Sequence, residues 1–72
     1  MIVKLRSDGN TRHAVAAADI SVVTSWYENA RHMMKVVMRS GAEVVVEHVR
    51  IADADAAYAE VMAAWSAEEE ER

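Results

Sequence analysis

KVVMRSGAEVVVEHVR, residues 35–50, reads as a β-hairpin. Two runs rich in β-branched residues meet at Ser40-Gly41, and such side chains pack well on a pleated surface. Patterning sets the register. Side chains alternate faces along a strand, and residues directly opposite in an antiparallel pair share a face. A two-residue loop at Ser40-Gly41 would mix apolar and charged residues on both faces. A three-residue loop instead places Met34, Val36 and Met38 with Ala42, Val44 and Val46 on one apolar face. Gly41 suits the left-handed position of such a loop.

The other face of this hairpin carries Lys35, Arg39, Glu43 and Glu47. Lys35 with Glu47 and Arg39 with Glu43 are expected as neighbours, each exposed pair contributing only ~0.2–1 kcal/mol. Met33, Val37, Val45 and Val49 share that face. Four apolar residues among four charges are unusual on a freely solvated sheet. A solvated face with β-branched filler is the plain reading. A contact surface for a twin subunit or a target protein is the sharper one.

The rest of the chain must pair with this hairpin or cover it. Ile2 to Arg6 alternates, with Val3 and Leu5 to one side and Lys4 and Arg6 to the other, as in a half-buried strand. Ser7-Asp8-Gly9-Asn10 is a cluster of turn formers, so Thr11 to Val15 returns as a second strand. Ala16-Ala17-Ala18-Asp19 is too short for a stable helix and reads as a turn or a single helical turn. Ile20 to Tyr27 is a further strand, with Ile20, Val22 and Trp26 expected on one face and Val23 and Tyr27 on the other. Glu28 to Arg31 connects it to the hairpin.

From Ile51 the period changes. Ala54, Tyr58, Val61 and Trp65 recur at helical spacing, with Ala57 and Met62 beside them. Asp53 is the expected N-cap, and Asp55 then sits where the helix dipole favours negative charge. Four glutamates from Glu68 to Glu71 oppose the dipole at the other end, so the last turn is expected to fray. The resulting expectation is an α+β domain over residues 1–66: a three- to four-stranded antiparallel β-sheet with one C-terminal α-helix packed on one face. An acidic frayed tail follows over 67–72.

Composition narrows the function classes. A chain of 72 residues forms one domain whose core is small enough that oligomerisation often supplements it. No cysteine is present, so no disulfide does so, and three histidines without cysteine argue against structural zinc. No metal or other cofactor is expected. The net charge of −4, from 12 acidic against 8 basic residues, argues against a mainly electrostatic grip on nucleic acid. No run approaches the ~20 apolar residues of a membrane span, and MIVKLRSDG lacks a signal-peptide core. The cytoplasm is the expected location. No set of polar residues converges as catalysis requires, so no enzyme is expected.

Trp26 to Met33 is the densest unusual stretch, WYENARHM. Aromatic residues, arginine and methionine are enriched at interface hot spots. Tyr27, Arg31, His32, Met33, Val37 and Val45 are therefore the candidate protein-binding residues. The plain alternative is a core Trp26 followed by a polar loop. His13 and His32 are expected as neighbours if their strands adjoin. The order of parts, with its Asp8-Gly9 turn, Ser40-Gly41 hairpin and terminal helix, resembles many small bacterial and phage proteins. Some small flagellar regulators share it, and the layout implies no one task. The leading functional expectation is a small acidic protein-binding module, a homodimer, acting as a phage or mobile-element inhibitor that occupies a host protein's surface. The alternative is a nucleic-acid-associated regulator using the basic and aromatic loop near Arg31.

Overall fold

The structure is a computed structural model that describes residues 1–70. In chain order it contains β1 (Ile2–Ser7), β2 (Thr11–Ala16), a single 3-10 turn (Ala17–Asp19), β3 (Ile20–Glu28), β4 (Arg31–Met38), β5 (Glu43–His48) and α1 (Ile51–Glu70). The α+β class with a C-terminal helix holds. The strands divide into two antiparallel sheets, β1-β2 and β3-β4-β5.

The hairpin has the expected register. Met34 lies opposite Val46 and Val36 opposite Val44. The Met38 amide donates to the Ala42 carbonyl at 2.8 Å, closing a three-residue loop with Gly41 at φ 96°. The charge pairs are redistributed: Lys35 Nζ reaches Glu43 at 3.8 Å and Arg31 Nη1 reaches Glu47 at 3.7 Å. Glu47 lies opposite Met33, which makes Arg31 as near a diagonal neighbour as Lys35, while Arg39 falls beyond the end of β4.

β3 departs from simple alternation. Its pairing with β4 steps from Ile20 opposite Met38 to Val22 opposite Val37, leaving Ser21 as the extra residue of a bulge. A bulge shifts the phase of every side chain after it. Ile20, Val23 and Tyr27 therefore lie on the side of Met34 and Val36, and Val22 and Trp26 lie on the other. This corrects the expected grouping of Ile20 with Val22 and Trp26. The turn into β4 is also tighter than expected. Glu28 pairs with Arg31 across two residues only, Asn29 at φ 50° and Ala30 at φ 61°. Asparagine tolerates the left-handed region, whereas alanine is strained there by about 1–2 kcal/mol.

Ser7 joins the two sheets. Its hydroxyl donates to the Glu47 carbonyl and accepts from the Glu47 amide at 3.0 Å, while the Asp8 amide donates to the same carbonyl at 2.9 Å. Beside them the Val49 amide donates to Asp8 Oδ2 at 2.8 Å. One core results: Val3, Leu5 and Val15 from the first hairpin, Ile20, Met34, Val36 and Val46 from the second sheet, and Val61 and Ala64 from α1.

α1 starts at Ile51, so Asp53 lies inside its first turn and is not the N-cap. Val61 and Ala64 form the buried line, with Ala57 and Trp65 packed against the core and Tyr58 at the exposed margin. The helix continues to Glu70, into the segment expected to fray. Glu68 there pairs with the Met1 amino group at 2.9 Å. Glu71 and Arg72, the end of the expected tail, lie outside the described residues. No helix among the described residues is long and apolar enough to cross a membrane.

Candidate functional site

With α1 on the inner face of β3-β4-β5, alternation leaves a second, outer face. Strand pairing assigns its rows: Val22, Val37 and Glu43; Thr24, Lys35 and Val45; Trp26, Met33 and Glu47; then Glu28 and Arg31. Apolar and charged residues are interspersed within it. None of the apolar ones belongs to the core or packs against it. Val22 and Val45 are nearly half exposed, at 48% and 45%, and Trp26, Met33 and Val37 are partly covered. The two ion pairs, Arg31–Glu47 and Lys35–Glu43, lie on this same face and leave its charge largely balanced.

The six candidate residues thus fall into two groups. Arg31, Met33, Val37 and Val45 share the outer face. Tyr27 and His32 lie on the inner face, at the end of the sheet, with ring centroids 4.8 Å apart and planes inclined at 47°. Trp26 is an outer-face residue, which settles both its expected grouping and the alternative of a core position.

Tyr27 and His32 border a shallow pocket of about 270 Å³ between the sheet end and the start of α1. Ser25, His48, Asp55 and Tyr58 complete its polar lining. His48 is buried, and its Nε2 lies 2.7 Å from the Arg6 carbonyl, which accepts a hydrogen bond from that nitrogen. The partner of His32 across the strands is His48, not His13. That neighbour was legible: the register that pairs Met34 with Val46 pairs His32 with His48 one step further out. Tyr58 had no such signal, because its place depends on how α1 crosses the sheet.

The basic residues of the first hairpin do not join those of the Arg31 loop. Arg12 stands opposite Arg6 in the first hairpin, whereas Arg31 belongs to the second sheet and faces Glu47. The aromatic and basic residues of the Trp26–His32 stretch are likewise split, Trp26 and Arg31 outward, Tyr27 and His32 inward. Among the described residues, no group of three or more histidines and carboxylates is placed to hold a metal ion. Comparison with protein-family models, curated proteins and solved structures finds no match to this chain.

Proposed function

We propose that the protein is a small protein-binding module that works by laying the outer face of β3-β4-β5 against a partner. The observation that carries this reading is the row of Val22, Trp26, Met33, Val37 and Val45, apolar residues that take no part in the chain's own core. A chain this small has few apolar side chains to spare, and residues held out of the core are available for a contact. Interspersed charge keeps such a face soluble when unoccupied and adds orientation when it is covered. The role is that of an inhibitor that occupies a host protein's surface, of the kind phages and mobile elements encode. A cytoplasmic setting fits a chain without cysteine.

The test is a comparison between two variants in the native host. Val45→Asp changes only an exposed outer-face residue, so the circular dichroism spectrum and melting temperature stay close to wild type. Capture of any specific partner is expected to fall at least tenfold, because a central charge must then be desolvated. Glu60→Gln, on the exposed side of α1, leaves capture unchanged. A partner retained equally by Val45→Asp and wild type rules the outer face out.

A further inference from the structure

We propose that two copies of the chain pair through the free edge of β3, antiparallel about a two-fold axis at Thr24, joining two three-stranded sheets into one of six strands. The pairing goes beyond the face-docking reading and does not depend on it.

β3 is the longest strand, nine residues, and its only strand neighbour among the described residues is β4. An edge strand presents unpaired amides and carbonyls to any strand of matching shape, and proteins that stay monomeric guard such edges. The usual guards are lysine, proline, inward-pointing charge, a bulge or a very short strand. β3 has no lysine and no proline, and its single charge, Glu28, is its last residue. Its bulge lies at the first residues, so the run from Val22 onward pairs regularly. Another outer strand, β2, makes the contrast. It has six residues and carries Arg12 directly opposite Arg6, a like-charge pair that discourages further addition.

The strand is also complementary to itself. An antiparallel two-fold must keep outer residues opposite outer residues. Centred on Thr24, it sets Val22 against Trp26 of the second copy, Thr24 against its own equivalent and Val23 against Ser25. Aromatic with β-branched and threonine with threonine are among the favourable cross-strand pairs, and no like charges meet. Moving the centre to Ser25 would instead set Val22 against Glu28. Space is available on the inner side as well. α1 packs on the 3-10 turn, β1, β4 and β5, and not to a comparable extent on β3. The axis stands normal to the sheet, so the two outer faces merge into one surface with a Val22–Trp26 pair on each side of the seam.

Sedimentation equilibrium of the full chain over a dilution series tests this. A reversible monomer–dimer equilibrium is expected. Thr24→Lys sets like charges opposite at the axis and weakens dimerisation about tenfold, as does Thr24→Glu. Mixing the two variants restores dimer, because the opposed charges then attract. Thr24 is exposed, so both variants fold, which circular dichroism checks. A wild-type monomer at every concentration overturns the proposal. So does a dimer that survives both substitutions, or one that Val45→Asp abolishes while Thr24→Lys leaves it intact, since that dimer would stack face to face.

Discussion

The two faces of β3-β4-β5 are made of alternate residues of the same strands, yet they do different things. Val36 and Val46 on the inner face are 0% and 1% exposed. Val37 and Val45, their chain neighbours, are partly and nearly half exposed on the outer face. The residue type is identical, so hydrophobicity alone does not assign a role. What differs is the cover: α1 and the first hairpin close the inner side, and among the described residues no part of the core closes the outer side. A valine under α1 is part of the fold's stability, while a valine on the far side is available to something else.

The sharpest way to break that contrast is to place the same charge on each face. Val46→Asp buries a carboxylate in the core, a cost of several kcal/mol that exceeds what a domain of this size can spare. It is expected to unfold the chain, with loss of amide dispersion in nuclear magnetic resonance spectra, whereas Val45→Asp keeps the native spectrum. If both variants stay folded, the inner face is not the core it is taken to be.

A smaller effect tests how far the inner side extends. Ser7→Ala leaves the Glu47 amide without the acceptor it has at 3.0 Å. The loss of an internal hydrogen bond at a partly buried site costs about 1–2 kcal/mol. Urea denaturation is expected to show that drop in a single transition, because both sheets share one core. Two separate transitions would mean that the first hairpin and the second sheet are independent layers. The smallest change concerns neither face. Ala30→Gly relieves a left-handed φ in the turn between β3 and β4, offset partly by the greater freedom of glycine when unfolded. A net gain of about 0.5–1 kcal/mol is expected, read as a rise in melting temperature with partner capture unchanged.

Local rules carried the sequence a long way. The three-residue loop at Arg39-Ser40-Gly41 followed from one requirement, that Met34, Val36, Val44 and Val46 share a face. Four of the six candidate residues, Arg31, Met33, Val37 and Val45, do lie on one surface. Tyr27 and His32 do not, because proximity in sequence to an arginine or a methionine says nothing about which way alternate side chains point. The bulge at Ser21 was invisible for a related reason. ISVVTSWYE alternates acceptably in either phase, and only the requirement that Ile20 be buried and Val23 pack against the same core selects the interrupted one.

By itself the sequence determined the hairpin, the turns at Gly9 and Gly41, the helical period after Ile51 and the mixed outer face, since each depends on a few adjacent residues and a fixed backbone repeat. Tertiary structure alone decided the division into two sheets, the Ser7–Glu47 junction and the side to which Trp26 points. Those are settled by contacts between residues distant in the chain, Ser7 and Glu47, 40 positions apart, among them. Many such pairings suit the same local pattern, and the one adopted is the one that buries Leu5, Ile20, Val36, Val46 and Val61 together.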